Sequence, residues 1–267
     1  MVALWFCCYQ LKVGKLAPMY KKTATSLMER LALPLLAIGA LLTTGGFIMA
    51  FTTAPLVLGA GVPTPALIGD QMVANKLLFS QKIFYFHVPV ALVSFIALGF
   101  TAIYGLLFLT RHDPAFDLRA KVATEIAMVF ILMTMASGEM WTRYEWGVWW
   151  TWEPRLTTYF ILLLLTIGYF VLRAAVEDPE RRARYAAVFG IIAFVDAPVS
   201  LLVTRLVPTS IHPVVFRSDS GLPAPMLLPF LLALFGMCMV AFGLYHFRLR
   251  EQVLHQRIDA LKSQLED

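Results

Sequence analysis

The ten residues WGVWWTWEPR, 146 to 155, hold four of the chain's six tryptophans, and Trp141 stands five positions upstream. Indole rings offer broad apolar faces on which a flat ligand can lie. The stretch ends in an acid, Glu153, and a guanidinium, Arg155, whose fork suits carboxylates. Elsewhere, His87 in FYFHVPVAL and His212 in PTSIHPVVF carry imidazole nitrogens, common ligands for a metal. Platform, metal-binding nitrogens and cation add up to one chemistry only if the fold brings three separate segments together.

The composition says what kind of elements must do this. With 59% hydrophobic and 15% charged residues and a mean hydropathy of +0.73, the chain is too apolar for a water-soluble domain. Crossing hydrocarbon takes about 20 helical residues, and six stretches qualify: roughly 32–53, 84–109, 122–140, 157–175, 186–206 and 224–246. Runs such as YFILLLLTIGYFVL show no period-two alternation, which favours helices over barrel strands. The expected fold is an all-α polytopic membrane protein with six transmembrane helices.

With the N-terminus in the cytoplasm, 16 of the 22 lysines and arginines fall on cytoplasmic segments, so the positive-inside rule predicts that both termini are cytoplasmic. The net charge of +5 is then a topology signal with some attraction to anionic lipid; the bilayer is the partner it implies, and no nucleic acid is needed. This topology sorts the five histidines. His112, His246 and His255 go inside, whereas His87, His212 and the tryptophan loop 140–156 all reach the outer surface.

A large flat apolar ligand carrying a metal needs aromatic surface, neutral imidazoles at its axial positions and cations for carboxylate tails. Haem fits all three. If the loop is helical near its end, Trp146, Trp149, Trp150 and Glu153 share one face and stack three indoles into a platform. Arg155, and after it Arg143 and Arg217, are the outer cations available to propionates. Each piece also has a bland reading. Tryptophans gather at membrane interfaces, but five on one loop do not make a belt. Glu153 and Pro154 suit the start of a helix whatever else they do.

Other signals are weaker. Residues 1–30 read as a basic cytoplasmic leader, and a start at Met19 would feed MYKKTATSLMERLALPLL straight into the first span. Residues 31–246 form the membrane domain. Phe247, Leu254 and Leu261, alternating with Ile258 and Leu265, predict an amphipathic cytoplasmic helix over 247–267 that docks on a partner or on lipid. Cys7, Cys8 and Cys238 give no redox pair, zinc spacing or haem-attachment motif. There is no phosphate-binding loop, so any ATP-driven work belongs to another subunit. Asp196 lies mid-span, where an acid costs about 2.5–3.5 kcal/mol on insertion scales; a polar contact beside the Pro198 kink is its first reading.

GVWWTWEPRLT resembles the tryptophan-rich signature of the WWD-domain membrane proteins that handle haem in cytochrome c assembly, with Trp146, Gly147, Trp149, Trp150, Trp152 and Arg155 matching position by position. Six spans, one signature loop between the third and fourth, and a histidine in each flanking outer loop resemble the haem exporter protein C (CcmC) branch over residues 30 to 247. The resemblance implies haem b as cofactor, with His87 and His212 as axial ligands. It also implies delivery to a CcmE-type haem chaperone within an ABC-transporter-type complex containing CcmA-type ATPase, CcmB-type permease and small CcmD-type subunits, in a bacterial inner membrane. On this reading the chain is a haem-handling scaffold, not an enzyme. Glu153 departs from the family's Asp, the better N-cap, and tryptophans usual before the second histidine are missing from LVPTSIHP. The competing expectation is a haem b electron-transfer subunit working with quinone.

Overall fold

The computed structural model describes residues 27–55, 81–207, 210, 212, 222 and 224–266. Met19 and most of the leader, as well as Arg217, lie outside them. Among the described residues there are six long α-helices and no strand: α1 Leu27–Thr52, α2 Phe84–Arg111, α3 Pro114–Glu145, α4 Pro154–Ala175, α5 Pro179–Leu206 and α6 Ala224–Glu266. All six are long and apolar enough to cross a membrane.

Several helices run past the apolar windows that announced them. The reason is that the window marks where hydrocarbon begins, whereas the helix begins at its cap. Asp113, in extended conformation, accepts from the Ala115 amide at 2.8 Å, with Pro114 at the first helical position. Asp178 accepts from the Arg181 amide at 2.7 Å ahead of Pro179 in the same way. Both caps satisfy amides that would otherwise be orphaned at a helix start. The sixth span and the amphipathic segment beyond it are one helix of 43 residues.

Helix α2 is the hub. It packs against α3, α5 and α6, while α4 leans mainly on α5 and α1 lies along α6. The main core joins Val90 and Leu98 of α2 to Phe130 and Ile131 of α3 and Leu162 of α4. The α1–α6 contact depends on missing side chains. A Cβ on Gly39 would stand 2.6 Å from the Gly236 carbonyl oxygen, and one on Gly236 would stand 2.7 Å from that of Gly39. Such backbone approach is how helices associate where lipid removes the hydrophobic drive between them.

The two ends of the bundle differ in chemistry. At one, Arg173 of α4 grips Asp117 of α3 through two bonds of 2.6 and 2.9 Å, and Arg248 of α6 donates to Glu125 of α3 at 2.6 Å. Lys121 adds a bond to Gln252 at 2.9 Å, so the extension of α6 is tied to α3. The opposite end carries His87, the tryptophan loop and His212. Gly236→Ala should force α1 and α6 apart and cost roughly 1–3 kcal/mol. Gly45→Ala, with nothing within 4 Å of the new methyl, should leave stability unchanged or raise it by up to about 1 kcal/mol through helix propensity. Thermal unfolding in detergent checks both.

Candidate functional site

His87 sits in the first turn of α2, and that turn is pinned from below the ring. Lys82, in the 3-10 turn Gln81–Ile83, is buried and donates from Nζ to the Ala50 and Ala54 carbonyls at 2.6 and 2.7 Å. A cation closing the carbonyl end of α1 is favoured by the helix dipole, and it fixes where α2 starts. The imidazole Nδ1 lies 2.9 Å from Ser137 Oγ of α3. That hydroxyl also reaches the Met133 and Thr134 carbonyls at 2.8 and 3.1 Å. A serine has one proton to donate. Its bonds to a carbonyl and to the ring coexist only if the ring donates from Nδ1–H, which leaves the Nε2 lone pair for a metal. Gly138 keeps the ring in place by being small, since a Cβ there would stand 3.1 Å from His87 Cε1.

The tryptophan loop is not helical, which corrects the expectation of a shared face for Trp146, Trp149, Trp150 and Glu153. Helix α3 stops at Glu145, Trp146 is its C-cap, and Gly147 has a left-handed φ of +74°. Only glycine takes that conformation without steric cost. At the other end Pro154 disfavours helical backbone in the residue before it, and Glu153 is extended at φ −63°, ψ 141°. The loop instead folds back on the last turn of α3. Thr142 Oγ1 donates to the Trp149 carbonyl at 3.0 Å, and Arg143 donates to the Gly147 carbonyl with its guanidinium 5.9 Å from the Trp149 ring centre. Arg143 is therefore engaged within the loop.

The indoles form two edge-to-face groups in place of a stack. Trp141 meets Trp146 at 5.1 Å and 72°, and on the same ring meets His212 at 5.9 Å. Trp150 meets Trp152 at 5.6 Å and 86°, and both pack on Phe160 of α4. Trp149 and Trp152 remain 61% and 72% exposed, leaving apolar rim free to touch something outside the chain.

Glu153, by contrast, is 4% exposed. Its Oε2 accepts from the Arg155 and Leu156 amides at 2.9 and 3.2 Å, capping α4. Its Oε1 accepts from the hydroxyl of Ser210, two residues before His212. The longer side chain was expected to be the poorer cap; here it makes both bonds of a cap and a third across to another loop.

A cavity of about 210 Å³ opens between α2 and α5 at this end, and His87, His212, Arg155 and Arg205 all line it, with Ala91 and Phe95 among its apolar walls. Two imidazoles and two guanidinium groups around an apolar space can ligate a metal and receive carboxylates. Asp196 of α5 does not line it; its carboxylate is half-buried, and Oδ2 makes no hydrogen bond among the described residues. Arg205, Ser137, Gly138 and Ser210 were not singled out from the sequence. Only the small pair Ser137–Gly138, interrupting the apolar run before Trp141, offered a signal.

Fold and site together define a polytopic helical membrane protein with a histidine- and arginine-lined cavity under a tryptophan rim. The chain belongs to the heme exporter protein C family, whose model matches residues 72–264. It is similar to heme exporter protein C of Bradyrhizobium diazoefficiens, 31% identical over 78% of each chain. It is also similar to that of Paracoccus denitrificans, 30% identical over 67% of this chain and 76% of the relative. The protein of the same name from Escherichia coli K12 is 27% identical over 66% of this chain and 71% of its own length.

With a metal bound at His87 Nε2, Ser137→Ala, which frees the ring to take either tautomer, should weaken haem binding about tenfold, as read by haem titration of the purified protein. Gly138→Ala should weaken it through displacement of the ring while thermal stability holds, because alanine is the better helix former by about 1 kcal/mol.

Proposed function

We propose that this chain holds haem b at the outer membrane face, in the cavity between His87 and His212, and hands it to a haem chaperone during cytochrome c maturation. The observation that carries this reading is the convergence of both histidines and Arg155 on one apolar cavity. The donor set suits the group: two neutral imidazoles for iron and guanidinium groups for propionates. At about 210 Å³ the cavity is smaller than the 300–1,000 Å³ typical of pockets that enclose a ligand. Haem would thus be only partly enclosed there, the rest of the ring left outside the cavity at the end that carries the tryptophan loop, which suits a cargo that must be passed on.

The bound group would bring the iron and its redox chemistry; the chain's own residues position it. Ser137 sets the tautomer of His87, Trp141 flanks His212, and Arg155 orients carboxylates. The chain acts as a handling scaffold, beside a CcmE-type chaperone and, in an ABC-transporter-type complex, CcmA-, CcmB- and CcmD-type subunits. The excess of Lys and Arg on the end away from the tryptophans supports placing that end in the cytoplasm of a bacterial inner membrane.

The test is a reduced-minus-oxidised spectrum of the purified protein and of its His87→Ala and His212→Ala variants. A b-type signal lost or strongly reduced in both is the expected result, and a signal indifferent to either histidine would overturn the reading. Turnover of reducing equivalents with quinol would point instead to an electron-transfer subunit. Trp149→Ala and Trp152→Ala should retain haem within a few-fold yet slow its transfer to added chaperone by about tenfold or more, because exposed aromatics carry interfaces. Stopped-flow transfer assays give that rate.

A further inference from the structure

We propose that Glu153 is a positioning residue that places His212 at the haem cavity, by clamping the start of α4 and the His212 loop with the two oxygens of one carboxylate. The inference rests on the haem reading given above and adds to it what sets the second ligand in place.

The clamp has two jaws. Oε2 is committed to the Arg155 and Leu156 amides, so the carboxylate is locked to the first turn of α4, whose Arg155 lines the cavity. Oε1 receives the hydroxyl of Ser210. Ser210 is itself held by a turn, its amide donating to the Val207 carbonyl at 3.1 Å immediately after α5 ends. His212 follows two residues later, and two residues of chain span at most about 7 Å. Fixing Ser210 therefore confines His212 to the neighbourhood of Trp141, where its ring is found. His87 needs no such device, because it stands in a regular helix against Ser137 and Gly138. His212 is on a loop, and a ligand on a loop goes where its supports put it.

The length of Glu153 is what makes the clamp work. An aspartate is one methylene shorter, about 1.5 Å, and serves the α4 cap as well or better, but it cannot keep that cap and still reach Ser210. A glutamine keeps the reach without the charge: its carbonyl can accept from the two amides and its NH₂ can donate to the serine oxygen. Reach and charge are thereby separable.

The full-length protein in detergent is loaded with haem as the unsubstituted chain and as Glu153→Asp, Glu153→Gln, Ser210→Ala and the Glu153→Asp/Ser210→Ala double variant. Spin state is read by absorbance and electron paramagnetic resonance, haem loss by transfer to apomyoglobin, and folding of the haem-free proteins by thermal unfolding. Glu153→Asp and Ser210→Ala should each convert low-spin, two-imidazole haem towards the high-spin form left by one ligand. Each should also speed haem loss about tenfold, while their haem-free melting stays near that of the unsubstituted chain. The double variant should lose no more than either single one, and Glu153→Gln should stay low-spin. Low-spin spectra and unchanged haem loss in both Glu153→Asp and Ser210→Ala would overturn the clamp and leave the haem reading intact. A glutamine variant as impaired as the aspartate one would replace reach by charge and equally overturn it. An unsubstituted chain with no histidine-dependent haem spectrum overturns both. Should Glu153→Asp fail to fold, Ser210→Ala, which leaves the cap untouched, decides.

Discussion

In hydrocarbon every backbone amide and carbonyl must find its partner within the protein, and that requirement governs where this chain can keep functional groups. Six helices satisfy it along their lengths, so irregular backbone and the side chains of the candidate site are left to the places where helices stop. The stops are closed with care. Lys82 takes the Ala50 carbonyl in the last turn of α1 and the Ala54 carbonyl just past it, Asp113 and Asp178 take amides in the first turns of α3 and α5, and Glu153 takes those of α4. A closed helix end is also a fixed one. The groups next to it, His87 after Lys82 and Arg155 after Glu153, inherit part of that fixity, and Ser137 adds to it at His87.

The break between α3 and α4 shows how two residues determine a loop. Gly147 ends one helix by turning left-handed and Pro154 begins the next while barring helix before it. Between them lie too few residues to wander, and Thr142 and Arg143 fold the short stretch down onto α3. The indoles therefore meet at right angles around two small clusters. Edge-to-face contact is the arrangement that ring quadrupoles prefer, and it leaves the outermost rings uncovered where stacking would have hidden them. Across the cavity the balance of charge is cationic. The nearby acid, Glu153, is spent on backbone amides and a serine hydroxyl, so the guanidinium of Arg155 is left facing a cavity that suits negatively charged groups.

Much of this was legible before any coordinates. Six apolar windows gave six helices, because length against bilayer thickness is a one-dimensional property. The meeting of His87, His212 and the tryptophan loop at one end followed from counting spans. What periodicity could not supply was the shape of the loop, since a single positive φ at Gly147 cancels a helical pattern that the tryptophan spacing otherwise fits. Nor could it supply contacts between distant positions. Ser137 against His87 spans 50 residues and Glu153 against Ser210 spans 57, and neither pair marks itself by residue type. Glu153 was the residue least explained by its sequence context, as a departure from the family's aspartate. Its extra methylene has meaning only once Ser210 is seen beside it.

The crowding of tryptophans at one end has an optical consequence as well. Five of the six lie there, at Trp141, Trp146, Trp149, Trp150 and Trp152, while Trp5 is far away in the sequence. The ultraviolet emission of the whole protein is thus dominated by one corner of it. Porphyrins absorb where indoles emit, so a porphyrin seated among these rings would drain their excitation, and its departure would restore the glow. On the proposed reading, the molecule would carry a built-in lamp for its own cargo, one that dims on loading and brightens on release without any attached dye.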